Sequence, residues 1–68
     1  MRLNIEINLN NAAFDPYPPD EVERVLKNAA ADFHKAFYSG HAPEGNWSKR
    51  LLDINGNTVG RMRLVVSE

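Results

Sequence analysis

Residues 47–66, WSKRLLDINGNTVGRMRLVV, carry two strand patterns around one strong turn signal, and the register across that turn decides the fold. A two-residue turn at Asn55-Gly56 would pair Leu52 with Val59 and put Arg61 and Arg63 on the face of Leu52. Met62, Leu64 and Val66 would then point the other way, leaving no clean apolar face. A three-residue loop, Ile54-Asn55-Gly56, pairs Asp53 with Asn57 and restores the parity. Ile54 and Asn55 then form a type I turn, Gly56 takes the left-handed position of a bulge, and Asp53 accepts from the turn amides. Leu52, Met62, Leu64 and Val66 share the inner face in this register. The outer face takes Leu51 opposite Val59, Lys49 opposite Arg61, and Trp47 opposite Arg63.

Upstream, residues 2–10 alternate without fault: Leu3, Ile5, Ile7 and Leu9 on one face, Arg2, Asn4, Glu6, Asn8 and Asn10 on the other. That period is a half-buried strand. Residues 10–19, NNAAFDPYPP, break it; the prolines hold the segment extended or turned, and Phe14 and Tyr17 read as a lid over one end of the core. A helix follows. Pro19 suits the first helical position, and Asp20 with Glu23 offers a capping box displaced by one residue; both starts fit. Val22, Val25, Leu26, Ala29, Phe33, Ala36 and Phe37 make one apolar stripe, with Phe33 expected against Leu3, Ile5, Met62 and Leu64. Glu23, Arg24, Lys27, Asn28, Ala31, Asp32 and Lys35 face solvent, with Asp20–Arg24 and Glu23–Lys27 as i,i+4 ion pairs. Ser39-Gly40 ends the helix, Gly40 as the left-handed residue after it. Residues 41–46, HAPEGN, read as a polar loop.

The order strand–helix–strand–strand predicts a two-layer α+β domain, 1–68, with a three-stranded antiparallel sheet in the order 1-3-2. One helix covers one face. The other has no covering element.

Sixty-eight residues form one small core, with net stability of about 3–10 kcal/mol at ~0.05–0.15 kcal/mol per residue. Cysteine is absent, which excludes a disulfide framework or a thiolate zinc site and fits a reducing cytoplasm. No apolar run approaches a membrane span, and the amino terminus does not read as a signal peptide. The formal net charge of −1 leaves any electrostatic function to local patches.

Catalysis finds little support. Ser39, Ser48 and Ser67 lack a nucleophile-elbow context, His34 and His41 match no metal-ligand spacing, and the glycines of NGNTVG belong to a hairpin rather than a nucleotide loop. The chain therefore reads as a non-enzyme without metal or cofactor. The outer sheet face stands out instead: Trp47, Lys49, Leu51, Val59, Arg61 and Arg63 gather an aromatic, cations and aliphatics, the ingredients of a protein-binding hot spot, with Trp47 and Arg63 placed for a cation–π contact. A solvated sheet face is the plainer alternative, and a basic stripe of Lys49, Arg50, Arg61 and Arg63 with Trp47 stacking on bases is a third reading. A second surface, Asp15, Asp20, Glu21 and Glu23, is acidic enough to imitate phosphates.

NAAF at 11–14, the helix run EVERVLKNAA at 21–30 and the hairpin LLDINGNTVG at 51–60 resemble a group of small uncharacterised phage and prophage proteins. Their pattern is a strand, NAAF, an acidic-start helix with E-x-x-R-(I/V)-L, and a closing L-x-D-x-N-G-N-x-V-G hairpin. The resemblance spans most of the chain, but its motifs are turn, cap and core positions, so it carries over no site residues. It implies a phage origin and this fold; small phage proteins without catalytic motifs commonly act in the host cytoplasm by binding and inhibiting a host protein complex, which makes an anti-CRISPR against a Cas effector the expected role, with a DNA-binding accessory protein and a structural or folding role in the phage particle as alternatives. A monomer, or a weak homodimer through the open sheet face, is expected. The stretch FYSGHAPEGNW, 37–47, is longer and more aromatic than the pattern and points to a partner particular to this chain.

Overall fold

The computed structural model describes residues 1–38 and 45–66. β1 (Arg2–Ile7) leads through a single 3₁₀ turn (Ala12–Phe14) into α1 (Pro18–Tyr38), and β2 (Trp47–Leu52) and β3 (Thr58–Val65) follow. The sheet is antiparallel in the order β1-β3-β2, with α1 on one side, so the α+β architecture read from the sequence stands. The expected helix end at Ser39-Gly40 and most of the 41–46 loop lie outside the described residues.

The proline-rich segment does more than cap the core. Asn11 Oδ1 accepts from the Ala13 N–H at 2.8 Å, and the Phe14 N–H donates to the Asn11 carbonyl at 3.0 Å. This local closure drives Phe14 fully inside, where it packs with Val25, Ala29, Leu51, Val59 and Met62. Tyr17, its expected companion in the lid, stays exposed.

The hairpin loop has the expected three-residue form. Asp53 N–H donates to the Asn57 carbonyl at 2.9 Å, the Gly56 N–H to the Asp53 carbonyl at 3.0 Å, and Gly56 has φ +85°. Asp53 Oδ1 accepts from the N–H groups of Asn55 and Asn57, both at 2.8 Å, and Oδ2 from the Asn57 side-chain amide at 3.2 Å. Leu52 faces Thr58, as that loop requires.

One residue further the register shifts. Leu51 faces Gly60, leaving Val59 as an extra residue in β3, and beyond this bulge Lys49 faces Met62 and Trp47 faces Leu64. Opposed residues share a face, so one inserted residue exchanges the faces of β2. Leu51 is buried and Leu52 is exposed, the reverse of the sequence expectation. Trp47 lies under the helix with its ring 5.7 Å from that of Phe33, which in turn meets Phe37 edge-on at 5.0 Å. Trp47 and Arg63 are therefore on opposite faces, and the expected cation–π pair does not form. Phe33 is half-buried against the core cluster that includes Met62, with Trp47 and Phe37 as its ring partners.

Glu21 and Arg24 tie the helix to the hairpin turn. Arg24 was expected to face solvent and pair with Asp20; it pairs instead with Glu21, through Nε to Oε1 at 2.8 Å and Nη2 to Oε2 at 2.9 Å. Glu21 Oε2 also accepts the Ile54 N–H at 2.9 Å, and Arg24 Nη2 donates to the Leu52 carbonyl at 3.1 Å. The Glu23–Lys27 pair forms as expected, at 3.0 Å. α1 packs on the 3₁₀ turn and β2.

Candidate functional site: the outer face of the sheet

With Leu51, Met62 and Leu64 buried beneath the helix, strand alternation sends Ser48, Arg50, Arg61 and Arg63 to the opposite face. β1 adds Asn4 opposite Arg63, Glu6 opposite Arg61, and Arg2 opposite Val65. No described element covers this face.

The predicted binding set is thus divided. Arg61 and Arg63 belong to the outer face. Lys49 turns toward the helix, where its Nζ lies 3.6 Å from Asp32 Oδ2, and Trp47, Leu51 and Val59 are taken up by the core or its margin. The stripe keeps Arg61 and Arg63 and loses Lys49, its aromatic ring and two aliphatics. In their place come Arg50, which lies directly across from Arg61, and the exposed Leu52 at the hairpin end. Arg50 Nη1 approaches Thr58 Oγ1 at 3.4 Å. Opposed like charges on one sheet face destabilise the pairing, and Arg50 and Arg61 hold this position with Arg63 two residues on. Arg50 was legible as a basic residue, but its place beside Arg61 was not; the signal was Gly60, since an isolated glycine in a strand pattern marks a bulge.

The acidic surface is also divided. Glu21 is buried, its carboxylate held by Arg24 and the Ile54 amide, and Glu23 pairs with Lys27. Asp15 and Asp20 remain exposed. The hydrogen bond from Arg24 lowers the Glu21 pKa despite burial, and the Ile54 N–H adds to it. Burial pushes Asp53 up, but the N–H groups and side-chain amide of Asn57, with the Asn55 N–H, outweigh it and hold the carboxyl below its ordinary value. Both carboxylates are occupied in the fold, so neither is available to imitate phosphate.

Among the described residues there is no cluster of three or more His, Asp or Glu placed to hold a metal, and no helix is long and apolar enough to cross a membrane. No family model, curated protein or solved structure matches the chain. What the outer face can do chemically is donate: each guanidinium presents a fixed fork of N–H groups suited to phosphate or carboxylate oxygens.

Proposed function

We propose that the protein is a non-enzymatic binding protein whose outer sheet face docks on the phosphate backbone of a nucleic acid, without reading its sequence. The observation that carries this is the Arg50–Arg61 opposition, extended by Arg63, on a face that no described element covers. A repulsive pair costs folding stability and is repaid when an anion lies across it. Arginine without an accompanying aromatic favours backbone contact over base stacking.

Fluorescence anisotropy with labelled single- and double-stranded oligonucleotides tests this reading across a salt series. Binding should fall linearly in log–log form, and Arg61→Ala or Arg63→Ala should each reduce the slope by about one, with no fall in thermal midpoint and a rise for Arg61→Ala as the repulsion with Arg50 is relieved. Failure to bind either oligonucleotide at low salt would overturn it, as would binding indifferent to Arg50→Ala, Arg61→Ala and Arg63→Ala combined.

A second reading keeps the same face and changes the partner to an acidic host protein complex, with a CRISPR effector as the case that the resemblance to phage proteins favours. Leu52, 42% exposed beside the arginines, supplies an apolar contact of the kind protein interfaces use. Expressing the chain in cells with an active CRISPR effector should abolish plasmid interference, and Arg61→Glu with Arg63→Glu should restore it. Undiminished interference with the parent chain would remove this reading.

A further inference from the structure

The sheet also has open edges, of which β1 is one. It is an outer strand of the sheet, and among the described residues no strand pairs along its far side. The Asn8 N–H donates to the Val59 carbonyl at 2.7 Å, so by alternation Asn4 and Glu6 turn their amides to β3, while Leu3, Ile5 and Ile7 present theirs to the open edge. Among the described residues, no proline, bulge or inward-pointing charge guards this edge. Sheet edges are ordinarily blunted by proline, a bulge or an inward-pointing charge. β1 has regular pairing throughout, contains no proline, and has Leu3, Ile5 and Ile7 on its inward face.

The inner surface beside β1 is apolar and open as well. Leu3 is 40% and Ile5 43% exposed on the helix side of the sheet. On the helix, Arg24, Asn28, Asp32 and Lys35 lie along the β2 side, lining one groove with Lys49 and Leu52. At 100° per residue, Leu26 falls on the opposite flank of the helix, and it is exposed.

We propose that β1 pairs antiparallel with β1 of a second copy of this chain about a two-fold axis through Asn4, joining two three-stranded sheets into one of six strands. The register follows from the residues. A two-fold axis normal to the sheet keeps each inner face with its counterpart. With Asn4 opposite Asn4 of the second copy, Arg2 falls opposite Glu6 and Glu6 opposite Arg2 on the outer face. On the inner face, Leu3 falls opposite Ile5 and Ile5 opposite Leu3. Moving the axis to Ile5 sets Glu6 against Asn4; moving it to Leu3 sets Arg2 against Asn4. The Asn4 register alone places opposite charges across the axis twice. The outer face itself is a poor self-partner, since its arginines would repel their own copies. Edge pairing leaves both arginine faces exposed on the same side of the joined sheet, and it does not depend on what those faces bind.

Sedimentation equilibrium on the full chain should show a dimer. Ile5→Lys, an inward charge on the edge strand, should weaken it by at least about tenfold while leaving the circular dichroism spectrum intact, because a buried unpaired ammonium opposes pairing. Single cysteines test register independently, since the native chain contains none. Directly opposed residues that are not hydrogen-bonded to each other sit about 4.5 Å apart at Cα, within disulfide reach, so Asn4→Cys should cross-link two copies under mild oxidation faster than Leu3→Cys or Ile5→Cys. A monomer at the highest soluble concentration would overturn the proposal. So would a folded Ile5→Lys dimer, or cross-linking fastest at Leu3→Cys or Ile5→Cys. Should Ile5→Lys fail to fold, the cysteine series decides alone.

Discussion

Gly60 lies so close to the Glu6 carbonyl oxygen of the neighbouring strand that a Cβ at position 60 would collide with it. The contact is with backbone, the Glu6 carbonyl and the Cα of Ile7, so no side-chain rotation relieves it. It sits immediately after the Val59 bulge, where β3 is pinched between β1 and β2.

Gly60→Ala should therefore destabilise by at least ~1–3 kcal/mol, the cost of inserting a methyl group into packed structure. At ~4–8 °C per kcal/mol for a domain of this size, the thermal midpoint should fall by roughly 4–24 °C. Gly45→Ala, with nothing within 4 Å of its added Cβ, should leave the midpoint nearly unchanged. Differential scanning fluorimetry of the two variants separates steric from backbone-entropy effects; equal midpoints would contradict the close approach.

Gly56 needs its freedom for a different reason. With φ +85° and open space around it, Gly56→Ala meets no neighbour but must hold a left-handed conformation. A loss of about 1 kcal/mol is expected in urea unfolding, smaller than at Gly60.

Trp47→Ala should lower stability by ~3–5 kcal/mol, because the indole packs under the helix beside Phe33. Arg63→Ala, on the other face, should change stability by less than ~0.5 kcal/mol. Urea denaturation of both variants checks the face assignment. A neutral Trp47→Ala would restore Trp47 to the outer face and undo the site described here.

Acid unfolding should depend on Glu21 and Asp53. Both carboxyls have folded pKa values below their ordinary 4.5 and 3.8, the first through Arg24, the second through turn amides that outweigh burial. A depressed carboxyl contributes stability that is complete above its unfolded pKa and is lost as pH falls through the folded one. Stability should thus be level on the neutral side of 4.5 and decline below it. Glu21→Gln should be less stable than the parent at neutral pH, with the difference narrowing as pH drops below 4.5; chemical denaturation at a series of pH values reads this directly.

The α+β class, the 1-3-2 sheet, the helix and the three-residue loop closed by Asp53 and Gly56 were all legible in the sequence. Each rests on local chemistry: alternation in β1, three- and four-residue apolar spacing in α1, and a turn that needs one left-handed residue. The composition of the outer face was not. Sequence pattern identified Arg61 and Arg63 but joined them to Trp47, Lys49, Leu51 and Val59, because a strand register carried outward from a turn assumes no residue is inserted. Val59 breaks that assumption. Alternation alone does not distinguish Leu51 from Leu52 as the buried leucine. The choice belongs to the packing of β2 beneath α1 and to the passage of β3 past the Glu6 carbonyl. Glu21 shows the same division: its place in the first helical turn was readable, but its salt bridge and its hold on the Ile54 amide, thirty-three residues away, exist only once helix and hairpin meet.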